Sequence, residues 1–193
     1  MIRAAAQPIV TARLALVPLG PEHSGEMATV LSDPGLFRFI GGGPPSPQAL
    51  HARYEALAAG SGDPGVSWCN WVIRLTDPGC LAGDPGCLTG DGGWLSGERG
   101  RVTGTVQATI TTAAGPLVAE VAWVVGRRWQ GHGIATEAAR ALVGWLGQQA
   151  VQTVIAHIHP GHRASMGVAA AAGLTPRDRW QDGEREWRLT LAP

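Results

Sequence analysis

A short glycine-containing stretch between an apolar strand and an apolar helix constrains this chain more than any other feature. Residues 117–125 form an almost continuously apolar run, and residues 134–149 follow with apolar side chains at three- and four-residue steps. Between them lie residues 130–133, which are QGHG. Two glycines at a strand-to-helix junction let the backbone turn tightly and point several N–H groups outward at the helix start. These donors, with the positive end of the helix dipole, favour an anion such as a pyrophosphate.

The composition limits the chain to a few broad classes of protein. Its 193 residues are 45% hydrophobic, which suits a single globular domain over residues 1–193. The formal net charge is zero, so the electrostatics favour neither nucleic acid nor an anionic membrane as a partner. No apolar run approaches the ~18 residues of a membrane span, and three cysteines without a zinc pattern indicate a reducing cytoplasm.

Apolar periodicity divides the chain into strands and helices. We predict strands over residues 9–19, 68–75, 101–110, 117–125, 153–158 and 187–191. We predict helices over residues 22–31, 134–149 and 163–172, and a further helix that begins at Ser46-Pro47 and buries Leu50, Tyr54 and Leu57. Gly173 is suited to end the 163–172 helix. This mixture indicates the α/β or α+β class, with a mostly antiparallel front half.

A tandem seven-residue repeat interrupts the pattern after the second predicted strand. Residues 77–83 are DPGCLAG, residues 84–90 are DPGCLTG, and residues 91–97 resemble a degraded third copy. Because the repeat is rich in turn formers and poor in core formers, we predict a surface loop insertion over residues 77–100. A lid or a partner-binding flap is the alternative. A disulfide between Cys80 and Cys87 is possible, but duplication explains the two cysteines more simply.

Several motifs together resemble the GNAT acetyltransferase superfamily, and within it the RimJ/RimL-like branch. Gln130-x-x-Gly133-x-Ala135 is similar to the superfamily's coenzyme A signature, and residues 133–138 (GIATEA) are typical of the branch. Four further segments fall in the order expected of the branch: residues 11–16 (TARLAL), 119–123 (AEVAW), 162–165 (HRAS) and 172–174 (AGL). The resemblance implies a GNAT fold with a mixed, mostly antiparallel, splayed sheet of about six to seven strands and about four helices.

The resemblance also implies acetyl-CoA as cosubstrate, bound in the V between the fourth and fifth predicted strands. The glycine turn would grip the pyrophosphate, and the splayed edge of the fourth strand would pair with the pantetheine arm. The implied cofactor-binding residues are Trp123, Val124, Val125, Arg128, Gln130, Gly131, His132, Gly133, Ile134, Ala135, Thr136 and His162.

Glu120 is the candidate general base. A carboxylate inside an apolar strand is costly unless it is solvated, paired or used in chemistry. In several superfamily members the base is a glutamate at this place, and the resemblance carries that role onto Glu120. The alternative is a structural ion pair, with Arg74 or Arg101 as possible partners.

Ser165 is the candidate group that protonates the departing thiolate. Many family members use a tyrosine seven residues after the asparagine of Asn-x-x-Ser, but that place is Ala169 here, and His162 replaces the asparagine. In the branch a serine can serve instead; a helix-capping role is the alternative. His157, His159 and His162 could form a metal site, but the implied chemistry needs no metal, and none is predicted.

The resulting hypothesis is an N-acetyltransferase that acts on a primary amine, either a small molecule such as an antibiotic or a protein N-terminus. Phe39, Trp68 and Trp71 are predicted to line the acceptor pocket, with core packing as their alternative role. We expect a monomer or homodimer. The competing hypothesis is a non-catalytic coenzyme A sensor of the same fold. A Rossmann nucleotide-binding protein is disfavoured because no first-strand glycine motif exists.

Overall fold

The computed structural model describes residues 4–76, 100–111 and 115–191, so the predicted repeat insertion lies outside the described residues except for Gly100. The strands are β1 (Ile9–Val10), β2 (Leu14–Pro18), β3 (Val66–Leu75), β4 (Val102–Thr111), β5 (Val118–Val125), β6 (Thr153–Ile158), β7 (Thr175–Gln181) and β8 (Glu184–Thr190). The α-helices are α1 (Ser24–Val30), α2 (Phe37–Ile40), α3 (Pro47–Ala59), α4 (Ile134–Gln148) and α5 (Arg163–Ala171). The predicted class, a mixed α/β fold with a mostly antiparallel sheet, is confirmed.

One sheet contains all eight strands, in the order β1-β2-β3-β4-β5-β6-β8-β7. Every neighbouring pair is antiparallel except β5 and β6, which run parallel. The parallel pairing covers only three positions on β5, from Val118 to Glu120. Beyond Glu120, β5 stays paired with β4 alone and β6 with β8 alone. The sheet therefore opens into a V between β5 and β6.

Helix α4 makes the parallel pairing possible, because it is the crossover that carries the chain from β5 to β6. The apolar face predicted for it is buried: Ala138, Leu142, Trp145 and Leu146. Trp145 packs edge-on against Trp71 of β3, with ring centroids 5.0 Å apart. This core fixes α4 against the sheet, so the glycine turn that precedes α4 is attached to a rigid helix.

A smaller core lies on the opposite face, where α1 and α3 cover the front half of the sheet. Its buried members are Met27, Leu50, Tyr54, Val72 and Val102. Helix α3 begins as predicted, because the Ser46 hydroxyl accepts from the Ala49 N–H at 3.1 Å. Glu120 of β5 lies on the same face as Val72, since Val72 pairs with Thr105 and Glu120 with Thr109.

The structure corrects the strand count from six or seven to eight. The single strand predicted over residues 9–19 is two, because Thr11 closes a tight turn in which its N–H and hydroxyl both bond to the Leu14 carbonyl. Strand β7 had no counterpart in the prediction. All of its residues are exposed and most are polar, so it lacks the apolar alternation that identifies strands.

Candidate functional site

A cleft of about 720 Å³ lies where β5 and β6 separate. Its walls are residues 121–125 of β5, residues 156–159 at the end of β6, the glycine turn, the start of α5 and helix α2. Three arginines line it, Arg38, Arg127 and Arg163, whereas Glu184 is the one carboxylate among the described lining residues. The cleft therefore favours an anionic ligand.

The glycine turn forms one end of this cleft. Gly131 and Gly133 have φ angles of 81° and 77°, a left-handed conformation that side chains disfavour. Gly133 precedes the first turn of α4 and supplies no capping side chain. Within the described part of the chain, the N–H groups of residues 134–136 find no acceptor. Residues 134–136 also line the cleft, so these free donors and the helix dipole form an anion site.

An ion-pair network holds the glycine turn from outside the cleft. Glu137, in the first turn of α4, accepts from the Thr11 hydroxyl at 2.6 Å and from the Arg13 backbone N–H at 3.0 Å. The Arg13 guanidinium donates to the same carboxylate through Nε at 2.8 Å. Its Nη1 also donates to the His132 carbonyl, at 3.2 Å. The network therefore ties the turn to the loop between β1 and β2.

The Glu137 carboxylate stays ionised in this network. Burial opposes its ionisation, but hydrogen bonds from Thr11 and Arg13 and the charge of Arg13 outweigh that effect, so the pKa of Glu137 lies below its usual range. Thr11, Arg13 and Glu137 lie within the motifs at residues 11–16 and 133–138, but the sequence alone indicates no role for them. The sequence signal available for Glu137 was an acidic residue in the first turn of a helix.

Two predicted cofactor contacts do not face the cleft. Arg128 lies over the Trp129 ring, 5.1 Å from its centroid, and lines a separate pocket beside α1. His132 is exposed and contributes its carbonyl to Arg13. Arg127 is the arginine of this segment that lines the cleft.

Only part of the free edge of β5 can pair with a ligand. Trp123 and Val124 line the cleft, beyond the last position at which β5 pairs with β6. The Val125 carbonyl, at the end of the edge predicted to pair with the pantetheine arm, accepts from Nε2 of Gln130 at 3.0 Å. Gln130 therefore fastens the glycine turn to the end of the strand, and this carbonyl is not open to a ligand.

The start of α5 forms the wall opposite the glycine turn. Nδ1 of His162 accepts from the Ser165 N–H at 3.2 Å, which caps the helix. Burial lowers the pKa of His162, and a neutral ring is the form that can accept at Nδ1. The Ser165 hydroxyl lies 3.4 Å from Nε2 of the same ring and lines the cleft. The helix ends at Gly173 as predicted, since the Leu174 N–H bonds to the Ala169 carbonyl in a Schellman motif.

Glu120 forms a close pair with His157 of β6. Nδ1 of His157 lies 2.8 Å from Oε1 of Glu120. His157 lines the cleft and its side chain is 11% exposed, whereas that of Glu120 is 49% exposed. Glu120 is therefore half-exposed and paired with an imidazole, and neither Arg74 nor Arg101, the suggested partners, is bonded to it. From the sequence, His157 is a candidate only for a metal site.

The three aromatic residues predicted for the acceptor pocket lie in different places. Phe39 lines the cleft, with its ring centroid 4.5 Å from that of His162. Trp68 is 39% exposed and lies in register with Thr109 and Glu120, on the same face. Trp71 is fully buried, and its Nε1 donates to the Gln7 carbonyl at 2.7 Å. It therefore packs in the core, which was its alternative role, and does not line an acceptor pocket.

No group of three or more His, Cys, Asp and Glu side chains among the described residues is arranged to hold a metal ion. No helix among them is both long and apolar enough to cross a membrane.

Comparison with known proteins places this geometry in a family. The family model described as the acetyltransferase (GNAT) domain matches residues 13–175. No curated protein matches the chain.

Solved structures share the fold at low sequence identity. A GNAT-family acetyltransferase from Bacillus anthracis superposes with a TM-score of 0.67 at 15% identity, covering 95% of this chain and 98% of its own. An aminoglycoside acetyltransferase in complex with coenzyme A gives 0.65 at 14% identity, covering 92% and 94%. RimL, a ribosomal L7/L12 α-N-protein acetyltransferase in complex with coenzyme A, gives 0.69 at 13%, covering 96% and 98%. Because the family model spans most of the chain and the fold agrees over nearly all of it, the chain belongs to the GNAT acetyltransferase family.

Proposed function

We propose that this protein is an acetyl-CoA-dependent N-acetyltransferase that acetylates a primary amine by direct attack on the thioester. The observation that carries the proposal is that one cleft has both an anion site and a candidate base next to it. Uncapped N–H groups of residues 134–136 suit a diphosphate, and the Glu120–His157 pair beside the cleft suits removal of a proton.

Acetyl-CoA would lie along the opening between β5 and β6. Its pyrophosphate would accept from the N–H groups of residues 134–136, and Arg127 and Arg163, which also line the cleft, would add positive charge. The pantetheine arm carries amide groups, which would pair with the free edge of β5 at Trp123. Coenzyme A in the solved aminoglycoside and L7/L12 acetyltransferases supports this choice of ligand.

The transfer itself needs one base and one acid. The ammonium group of the acceptor first loses a proton, and its nitrogen then attacks the thioester carbonyl carbon, forming the C–N bond as the C–S bond breaks. His157 takes the proton at Nε2, while Glu120 bonds Nδ1 and so holds the ring orientation and stabilises its charged form. The Ser165 hydroxyl donates a proton to the departing thiolate and regains one from the attacking nitrogen, which must lose its second proton, so that coenzyme A leaves as the thiol. Glu120 is then a positioning residue, and His157 is the base.

The acceptor is a primary amine on a small molecule or at a protein N-terminus. Among solved proteins of this fold, one acetylates an aminoglycoside and another the ribosomal protein L7/L12, which supports both classes, including antibiotic self-resistance. The motifs at residues 11–16 and 133–138 support the RimJ/RimL-like branch. The free, buried thiol of Cys69 is consistent with a cytoplasmic location.

A thiol-release assay with acetyl-CoA and a panel of amines, peptide N-termini and aminated antibiotics tests the proposal. We expect turnover with at least one primary amine. Glu120→Gln should lower kcat, while the KM for acetyl-CoA stays unchanged. Glu55→Gln, an exposed carboxylate on α3, is the matched control and should behave as wild type.

One outcome would replace the proposal with the sensor hypothesis. Tight binding of acetyl-CoA, no turnover with any acceptor, and Glu120→Gln indistinguishable from wild type would together indicate a coenzyme A-binding domain without catalysis.

A further inference from the structure

The His162 ring makes two contacts with one residue, Ser165. Nδ1 of the ring lies 3.2 Å from the Ser165 backbone nitrogen, and Nε2 lies 3.4 Å from the Ser165 hydroxyl oxygen. The ring also packs on Phe39, with ring centroids 4.5 Å apart, and all three residues line the cleft. A half-turn of the ring would place C–H groups where the two nitrogens now lie. Both contacts with Ser165 therefore favour a single orientation of the imidazole.

The first contact determines which nitrogen of the ring carries a proton. A backbone N–H group can only donate, so Nδ1 accepts from Ser165 and is unprotonated. Burial lowers the pKa of His162, so the ring is neutral near pH 7. A neutral imidazole carries one proton, which is then on Nε2. His162 therefore presents an N–H donor to the Ser165 hydroxyl oxygen.

The second contact leaves the proton of the Ser165 hydroxyl free. Because the oxygen accepts from Nε2, its own proton points away from the ring. A serine inside a helix can bond to a backbone carbonyl one turn back, but within the described part of the chain this hydroxyl makes no hydrogen bond other than that to His162. Since Ser165 lines the cleft, its proton is available to a group bound there.

We propose that His162 is a positioning residue for the acid of the transfer, because its Nε2–H group directs the Ser165 hydroxyl proton towards the departing thiolate. The hydroxyl gives this proton to the sulfur and regains one from the attacking nitrogen. While the oxygen lacks its proton it carries negative charge, which the hydrogen bond from Nε2 stabilises. The imidazole itself neither gains nor loses a proton. The inference rests on the proposed function, since it assigns His162 to the acid step of that reaction.

An asparagine at position 162 separates this role from the capping of α5. The asparagine side-chain oxygen reaches the place of Nδ1 and keeps the cap, but no atom reaches the place of Nε2. We expect His162→Asn to lower kcat about fivefold, the effect of one hydrogen bond, while the Kd for acetyl-CoA stays within about twofold. His51→Asn is the matched control, because Nδ1 of His51 lies 3.2 Å from the Ser24 hydroxyl and neither residue lines the cleft. It should keep the wild-type kcat.

A double-mutant cycle tests whether His162 acts through Ser165. Ser165→Ala removes the hydroxyl, so adding His162→Asn to it should change kcat by less than about twofold. If the ring served only the structure of the cleft, the same fivefold loss would appear with and without the hydroxyl. That result would overturn the inference, as would an unchanged kcat in His162→Asn alone.

The ring nitrogens test the inference without any turnover. Long-range ¹H–¹⁵N correlation spectra show which imidazole nitrogen carries the proton, and the signals missing from His162→Asn identify the His162 ring. We expect the proton on Nε2 near pH 7, and the Nε2 signal should move in Ser165→Ala. A proton on Nδ1, or on both nitrogens, would overturn the inference. Failure to acetylate any acceptor would instead overturn the proposed function, and the spectra would still decide whether His162 donates to Ser165.

Discussion

The two walls of the cleft are built in different ways. The glycine turn presents backbone N–H groups, whose directions are set by φ angles and by the Arg13–Glu137 network behind them. The second wall presents side chains: His157 of β6 lines it, and Glu120 of β5 bonds to His157 from beside the cleft. Backbone donors can be lost only by distorting the chain, whereas side chains can be exchanged one at a time. We therefore expect changes in the first wall to abolish cofactor binding, and changes in the second to alter turnover or acceptor choice.

Gly133→Glu should have the largest effect. A side chain at φ 77° is strained, its Cβ would lie 3.3 Å from Nη2 of Arg13, and its carboxylate would repel the pyrophosphate. We expect the Kd for acetyl-CoA, measured by calorimetry, to rise at least about 100-fold, equivalent to roughly 2.8 kcal/mol. Gly144→Glu places the same charge at an open position of α4 and should bind normally. Wild-type affinity in Gly133→Glu would put the pyrophosphate elsewhere.

His157→Gln should give the next largest effect, and on kcat alone. An amide keeps a hydrogen bond to Glu120 but cannot take up a proton, so kcat should fall about 100-fold. The Kd for acetyl-CoA should stay within about twofold, because the backbone wall is intact. A parallel loss of affinity would contradict the division between the two walls.

Glu137→Gln should weaken the support behind the backbone wall. Replacing a carboxylate that accepts from Arg13 and Thr11 should lower the free energy of unfolding near pH 7 by about 2 kcal/mol. Because the pKa of Glu137 is depressed in the folded protein, its stabilisation is present above the usual glutamate pKa of about 4.3 and is lost as the pH falls through the folded value. Denaturant titrations of wild type and variant should therefore converge in acid. A difference independent of pH would contradict the charge network.

Substitutions at His162 should have the smallest effect. His162→Ala removes the cap of α5 and should cost about 1 kcal/mol in the free energy of unfolding. His162→Asn should remain within about 0.5 kcal/mol of wild type, because asparagine is a favoured capping residue. Thermal unfolding of the two variants measures the difference. Equal losses would mean that packing against Phe39 is what His162 contributes.

The difference between the two walls also explains which features could be predicted from the sequence. The glycine turn, the Ser46 cap and the Gly173 helix end each depend on residues close together in the chain, and each was predicted. The Glu120–His157 pair joins residues 37 apart, and its formation depends on the register of two parallel strands. Apolar periodicity does not specify that register.

Two other features were missed for related physical reasons. Arg13 and Glu137 are 124 residues apart, so nothing local indicates that one holds the other. Strand β7 is exposed along its whole length, so its extended conformation comes from pairing with β8 and not from its own pattern.

Amide chemical-shift mapping on addition of coenzyme A tests the central claim most directly. If the glycine turn grips the diphosphate through its backbone, the N–H signals of residues 131–136 should shift most, followed by that of Trp123 on the free edge of β5. Gly133→Glu should remove these shifts while leaving the signals of the α4 interior unchanged. Large shifts confined to other parts of the chain, with residues 131–136 unaffected, would contradict the assignment of the cofactor site.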